Sequence, residues 1–447
     1  MASSHVFGRD TRRSLPVIAG GDGCWLIDAE GKRYLDASGG AAVSCLGHSC
    51  RPVLDAAKAQ LDAIAYAHTG FFTSEPAEAL ADALIARAPE PLNRVYFVSG
   101  GSEAVEAAIK LARQYFLEIG QPERTEIISR WQSYHGNTLG ALATGGNRWR
   151  RAQFEPLLAD AMHHISPCHY WRWGEANESA EQYGQRVAEE LEARILQIGP
   201  ERVAAFFAEP VVGATMGAVP PAPGYFQRIR EICDRYGVLL ILDEVMCGSG
   251  RTGTFFAFEQ DDIVPDMVCI AKGLGAGIQP IGAMICSSVI YGAIAAGSGF
   301  FQHGHTYMGH PTGCATALAV LGEIDRRNLL GNVREMGERL DAGLRRRFSD
   351  VPFIGDIRGR GLFRGLELVA DPDTKAPFDP ALGVAARIKA AGMARGLACY
   401  PMGGTIDGRT GDHVLLAPPY IVSADEVDII VDRLGEAIVS VLSETDA

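Results

Sequence analysis

The chain has no apolar run long enough to cross a bilayer. Its first residues, MASSHVFGRDTRRSLP, lack the apolar core of a secretory signal. It has no excess of basic residues, and a net charge of −13 argues against a nucleic-acid-binding surface. Its ten cysteines never fall in a C-x-x-C pair, so neither a zinc ribbon nor a thioredoxin-type motif is indicated. Most lie among apolar neighbours, as in Ile232-Cys233, Val268-Cys269 and Ile285-Cys286. That pattern fits reduced thiols in a cytoplasmic protein with no membrane or nucleic-acid partner. No internal repeat or low-complexity segment is present. What remains is an ordinary globular composition, 47% hydrophobic and 21% charged. At 447 residues the chain is too long for one simple core, and two domains are expected.

Near the N-terminus, two short β-like runs, 24–27 and 33–35, flank the turn signal Asp28-Ala-Glu-Gly31 and predict a hairpin. Residues 51–65 have helical spacing. From Glu75 helix and strand alternate. A helix over 76–88 precedes a strand over 94–98, which runs through Ser99-Gly-Gly-Ser102 into a long amphipathic helix over 103–116. A strand over 126–129 leads to Tyr134-His-Gly136 and then to an irregular stretch ending near Glu178. Its histidines and aromatics (His163, His164, His169, Tyr170, Trp171, Trp173) lack ligand spacing and read as packing and loop residues, so no metal is expected. A helix over 183–198, a strand over 203–207 with Glu209-Pro210, and a helix over 224–236 follow. This alternation predicts a mostly parallel sheet with helices on both faces. After a run over 281–287 and a helix starting at Thr312, the C-terminal part reads as a smaller α+β domain. Ser423-Ala-Asp-Glu426 is a capping box for the last helix.

The centre of the chain is the stretch from Val238 to Gly277. Two short apolar runs, 238–242 and 267–270, read as buried parallel strands. Asp243 closes the first and Lys272 follows the second. In an open α/β sheet the ligand crevice lies beyond the carboxyl ends of the strands, so the two side chains should face one crevice. A lysine and a carboxylate so placed suit pyridoxal 5'-phosphate (PLP). The lysine holds the aldehyde, and the acid keeps the ring nitrogen protonated so that the ring can accept electrons. Desolvation makes such a lysine a usable nucleophile and base. Ser99-Gly-Gly-Ser102, between a strand and a helix N-terminus, supplies the backbone N–H groups and dipole that favour a phosphate. Tyr134 is a candidate to stack on a planar ring, with His135 beside it.

Taken together, the segments SGGSEAVEAAIK, YHGNTLGA, AEPVVG, LILDEV, AKGLGAGIQPIGA and HTYMGHP resemble those of the class III aminotransferases. The likeness runs from Gly23-Cys-Trp-Leu-Ile-Asp28 to Ala417-Pro-Pro-Tyr420. It implies a fold-type-I PLP enzyme of the α/β class. A large domain (71–327) would be built on a mostly parallel, seven-stranded sheet. A small α+β domain would form from both chain ends (1–70 and 328–447). It further implies that Lys272 carries PLP and that Asp243 pairs with the ring nitrogen. Gly101 and Ser102 would hold the phosphate, Tyr134 would stack on the ring beside His135, and Glu209 and Val245 would flank it. Thr306 would complete the phosphate site of a partner subunit, in a homodimer, or a tetramer built from it, with shared active sites.

Two departures bear on the substrate. Family members that use 2-oxoglutarate often have arginine directly after Tyr-His-Gly, where this chain has Asn137. They often have glutamate five positions beyond the Glu-Pro glutamate, where it has Ala214. Arg409 looks like the arginine that other members swing toward a substrate carboxylate. Ala42 stands where related amine transaminases often place a bulky aromatic, and Phe71 and Phe72 are candidate apolar walls. The expected activity is that of an ω-aminotransferase moving an amino group from an amine or ω-amino acid to a keto acid, pyruvate first. An aminomutase, racemase, decarboxylase or phospho-lyase on the same scaffold, or a 2-oxoglutarate-dependent aminotransferase, shares the same core motifs.

Overall fold

The computed structural model describes residues 5–12 and 14–443. The N-terminal hairpin forms as the turn signal requires. β1 (Ile18–Asp22), β2 (Trp25–Asp28) and β3 (Arg33–Asp36) are antiparallel neighbours. The turn is closed by Asp28, whose Oδ1 accepts the N–H of Lys32 at 2.8 Å.

The central sheet comprises β4 (Leu92–Val98), β5 (Glu126–Arg130), β6 (Met162–Ile165), β7 (Val203–Ala208), β8 (Leu239–Asp243), β9 (Met267–Ile270) and β10 (Gly282–Ser287). Their order across the sheet is β4-β10-β9-β8-β7-β5-β6. Only β10 runs against its neighbours. The alternation of side chains along a strand explains why these runs are apolar throughout. Leu239 and Ile241 face the helix Gly101–Glu118 with its small buried residues Ala104, Ala107 and Ala108. Leu240 and Leu242 face the opposite side, packing with Phe226 and Ile229 of the helix Tyr225–Tyr236 and Leu191 of the helix Ala180–Ile198. Each such burial contributes roughly 1.5–3 kcal/mol.

One strand was hidden in the sequence. β6 lies inside the stretch read as irregular, because its residues, MHHI, show neither alternation nor an apolar run. It is an edge strand, so only one of its sides is paired. His163 Nε2 lies 2.8 Å from Glu126 Oε2, and the His164 ring stacks on Trp131 with centroids 4.4 Å apart. The same stretch also holds the short helices Leu139–Thr144 and Arg148–Arg151.

The C-terminal part builds a third sheet from β11 (Ile354–Arg360), β12 (Phe363–Leu368), β14 (Tyr400–Gly403) and β15 (Asp412–Leu416), in the order β11-β12-β15-β14. The short β13 (Leu397–Ala398) pairs in parallel with β3 and so joins the two chain ends in one sheet. The capping box forms as read. Ser423 Oγ accepts the N–H of Glu426, and Glu426 Oε2 accepts the N–H of Ser423 at 3.0 Å. A buried ion network ties the C-terminal sheet to the segments around Arg172 and Gly217. Glu367 pairs with Arg358 at 2.7 Å and with Arg172 at 2.6 Å, and Arg358 Nε donates to the Gly217 carbonyl. Among the described residues, no helix is long and apolar enough to cross a membrane.

Candidate active site

Four neighbouring strands, β5, β7, β8 and β9, run in parallel and end at one edge of the sheet. Each delivers a polar side chain there. Ala208 pairs with Leu242, so Glu209 emerges beside Asp243. Asp243 pairs with Cys269, and Lys272 follows three residues later. Their side chains line one cavity of about 410 Å³, together with Gly101, Ser102, Tyr134, His135 and Val245. Eight of the residues singled out in the sequence thus converge.

Lys272 has φ +46°, a left-handed conformation that a non-glycine residue adopts only when its surroundings hold it there. Its Nζ donates to the Ala41 carbonyl at 3.3 Å. Burial pulls the amine below the ordinary lysine value of 10.5, opposed by the Asp243 and Glu209 carboxylates. A deprotonated, nucleophilic lysine is thereby favoured.

The sequence placed His135 beside the ring. In the structure it is the partner of Asp243: Nδ1 lies 2.8 Å from Asp243 Oδ2. The other carboxylate oxygen accepts the Val245 N–H at 3.0 Å. Both side chains are buried, and the His135 ring lies against Phe207 with centroids 6.0 Å apart. Glu209 accepts the N–H groups of Tyr134 at 3.1 Å and Gly213 at 2.8 Å. Burial pushes its carboxyl up, partly offset by His135. Glu209 therefore fixes two loops that form the cavity wall.

The helix Gly101–Glu118 opens on this cavity, with the N–H groups of its first turn free of intrahelical partners. A Cβ at residue 101 would sit 2.7 Å from Val245 Cγ1, so glycine is required for the helix to start this close to the β8 loop. Asn137 does not reach into the cavity. It is bound to Ser102, whose Oγ accepts the Asn137 N–H at 3.1 Å and donates to Asn137 Oδ1 at 3.0 Å. The strained Gly136, at φ +139°, lets the chain pass Ser102, which a Cβ would meet at 2.6 Å. Tyr134 carries a cation on its ring: Arg150 Cζ lies 4.8 Å from the centroid. Burial raises the Tyr134 hydroxyl, and Arg150 and Arg9 act against that rise.

Five residues lie outside this cavity. Ala42 is buried against Ala214 and Met246, and its neighbour Val43 provides the lining instead. Phe72 and Phe71 are 66% and 81% exposed. Thr306 is exposed as well, and its carbonyl accepts from Tyr66 Oη at 2.8 Å. Arg409 is exposed and lines an adjoining groove. Sequence reasoning missed Val43, Met246, Arg150 and the backbone acceptor at Ala41. None belongs to a pattern with a chemical signature.

The cavity fits PLP on its own geometry. It has a helix N-terminus for a phosphate, a buried carboxylate held by a histidine for a ring nitrogen, and a deprotonation-prone lysine for an aldehyde. A seven-stranded sheet carrying that set at its strand ends is the fold-type-I PLP enzyme, and the chemistry it supports is amino-group transfer. The chain belongs to the class III aminotransferases, whose family model matches residues 6–438. An aminotransferase of Schizosaccharomyces pombe is 44% identical over 444 residues, covering 98% of this chain and 96% of its own length. The gamma aminobutyrate transaminase 3, chloroplastic, of Solanum lycopersicum is 37% identical over 427 residues, covering 94% and 80%. The structure of a PMP-bound aminotransferase from Vibrio fluvialis matches with a TM-score of 0.91 at 35% identity, covering 98% of this chain and 96% of that one.

Proposed function

We propose that this aminotransferase is an ω-aminotransferase that takes the amino group of an amine or ω-amino acid and delivers it to a monocarboxylic keto acid, with pyruvate as acceptor. PLP supplies the electron sink that makes the bonds at the amine-bearing carbon labile. Lys272 would hold the cofactor through its Nζ, and the same amine, lowered below its ordinary value by burial, would serve as the base that moves a proton at the amine-bearing carbon. Asp243 would keep a proton on the ring nitrogen, and His135 holds Asp243 in place. Tyr134 covers the ring, and Glu209 positions Tyr134. The first turn of the helix Gly101–Glu118 and Ser102 bind the phosphate, joined by Thr306 of the partner subunit. The exposed aromatic side chains of Phe71, Phe72, Phe300 and Tyr307 support a homodimer, because large apolar side chains are seldom left uncovered in number.

One observation carries the acceptor reading. Lys272 is the only cationic side chain lining the cavity among the described residues, and it is committed to the cofactor. Asn137 is tied to Ser102, and Ala214 brings no charge. Nothing fixed inside the cavity can pair with a second carboxylate. Arg409, on an exposed loop, can swing in for the single carboxylate of pyruvate and withdraw for an uncharged amine. A donor-by-acceptor screen tests this. Pyruvate should exceed 2-oxoglutarate by at least about tenfold in kcat/KM, the value of one charge-assisted contact. A clear preference for 2-oxoglutarate would refute it.

A further inference from the structure

Gln132 joins the wall of the cofactor cavity to the loop that carries Arg409. It stands two positions before Tyr134 and is only 3% exposed. Its φ is +60°, a left-handed conformation that a non-glycine residue keeps only where its surroundings impose it. Every polar group of the residue is engaged. Its N–H donates to the Gly146 carbonyl at 3.1 Å, and its carbonyl accepts from Thr215 Oγ1. Its side-chain Nε2 donates to two carbonyls, those of Gly404 at 2.8 Å and Thr405 at 3.0 Å. Its Oε1 accepts from Asn147 Nδ2 at 3.3 Å. Segments far apart in the chain therefore meet at one residue. Two of them form cavity wall, through Tyr134 and through Ala214, the neighbour of Thr215. Another, residues 404–411, carries Arg409.

That loop is stiff within itself. The Gly404 N–H donates to the Gly411 carbonyl at 2.7 Å, the Gly408 N–H to the Gly404 carbonyl at 2.9 Å, and the Ile406 N–H to the Thr410 carbonyl at 3.0 Å. Asp407 Oδ1 accepts the N–H groups of Arg409 at 2.8 Å and Thr410 at 2.7 Å. A Cβ on Gly408 would lie 2.9 Å from the Trp149 nitrogen, so the loop tip rests on the turn that Asn147 opens. The Arg409 side chain is exposed and makes no ion pair among the described residues. A loop of this kind moves as one body, and a shift at its base carries the guanidinium with it. Its own strands hold it from one side, with Gly403 paired to Asp412 and Thr405 Oγ1 bound to His413 Nδ1 at 2.6 Å. Among the described residues, the hydrogen bonds that cross from the loop to the cofactor wall are the two from Gln132. We propose that Gln132 is a positioning residue for the keto-acid half of the reaction: it sets the Arg409 loop against the Tyr134 wall and so aims the guanidinium at the cavity. Gln132 does not itself line the cavity. The inference rests on the reading of Arg409 as the acceptor's carboxylate partner and adds the residue through which that arginine is placed.

The test reads the two half-reactions separately in the full-length enzyme. Pyruvate is given to enzyme loaded with pyridoxamine phosphate, and hexylamine, which carries no carboxylate, to enzyme loaded with PLP. Gln132→Met keeps the bulk of the side chain and removes its donors and acceptor. The half-saturating pyruvate concentration should rise about tenfold, the scale of two neutral hydrogen bonds. The hexylamine half-reaction should change far less. In an Arg409→Ala background, Gln132→Met should raise the pyruvate value no further. Hydrogen exchange gives a readout independent of turnover. The amides of residues 404–411 should exchange faster in Gln132→Met and at the wild-type rate in Arg409→Ala. Equal rises in both backgrounds, or wild-type loop exchange in Gln132→Met, would overturn the proposal. If Arg409→Ala raises the pyruvate value and Gln132→Met does not, the Gln132 proposal alone fails. If Arg409→Ala leaves it unchanged, the Arg409 reading fails and takes the proposal with it. Should Gln132→Met not fold, Asn147→Ala frees the Gln132 amide from one of its three bonds. Smaller rises in both readouts are then expected, and wild-type values of both would overturn the proposal.

Discussion

If His135 acts on catalysis only by holding Asp243, its removal should cost nothing once Asp243 can no longer hold the ring proton. His135→Phe keeps a planar ring against Phe207 but deletes the donor that lies 2.8 Å from Asp243 Oδ2. Asp243 keeps the Val245 N–H at 3.0 Å, so the carboxylate is weakened in position and not abandoned. A hydrogen bond to a charged, buried group contributes about 1.5–3 kcal/mol, which corresponds to one to two decades in rate. Asp243→Asn removes the charge itself. One preorganised electrostatic contact in a closed site is worth about 2.7–4 kcal/mol, or two to three decades. The double variant should then be no slower than Asp243→Asn, a coupling of about the full His135 effect in the double-mutant cycle. Single-turnover absorbance with a saturating amine reads the chemical step, and thermal melts of the PLP-bound proteins show whether the fold survives. Strictly additive losses would refute the chain of action, as would a His135→Phe enzyme slower than Asp243→Asn.

Three further outcomes follow from the same geometry. In cofactor-free protein the Lys272 amine must be neutral to react. Because burial lowers its pKa from 10.5, the rate of PLP capture should rise with pH and level off below that value; a midpoint at or above 10.5 would contradict the buried environment. Mixing Lys272→Ala chains with Thr306→Ala chains should restore activity, since one site of each heterodimer would have both residues intact; no recovery would count against a shared site. Glu367→Gln should destabilise the fold by about 3–5 kcal/mol, because it leaves Arg172 buried without its counter-ion and Arg358 with Asp356 alone. Burial alone would raise the Glu367 carboxyl, but Arg358, His169 and Arg172 hold it below the ordinary value. Its stabilisation is therefore present above the usual carboxylate range and lost as pH falls through the lowered value. Urea melts against pH read both effects, and a wild-type acid profile in Glu367→Gln would exclude this source.

The site was legible where the chain changes character abruptly. Asp243 and Lys272 stand out because each ends a run of buried apolar residues, and a charge in that position has to be accounted for. Ser99-Gly-Gly-Ser102 is readable because glycines at a strand-to-helix junction serve close backbone approach, as the Gly101–Val245 contact confirms. The opposite holds for β6, whose two histidines match neither a strand nor a helix pattern and are placed only by Glu126 and Trp131 from elsewhere in the chain. The His135–Asp243 bond spans 108 positions, and no local spacing encodes it. Arg150 was passed over because, in the sequence Arg148-Trp-Arg-Arg151, nothing separates the arginine that meets Tyr134 from its neighbours. Arg148 lies over Trp131, Arg151 turns inward to the carbonyls of Leu142 and Gly145, and only Arg150 lies over Tyr134.

The central claim is that Lys272 carries the cofactor, and it can be tested by chemical trapping. Borohydride reduction of the PLP-loaded enzyme followed by peptide mapping should place one pyridoxyl group per chain on Lys272, within the peptide containing Ala271-Lys272-Gly273. A pyridoxyl group on any other lysine, or a Lys272→Ala enzyme that is labelled as fully as the wild type, would contradict the account.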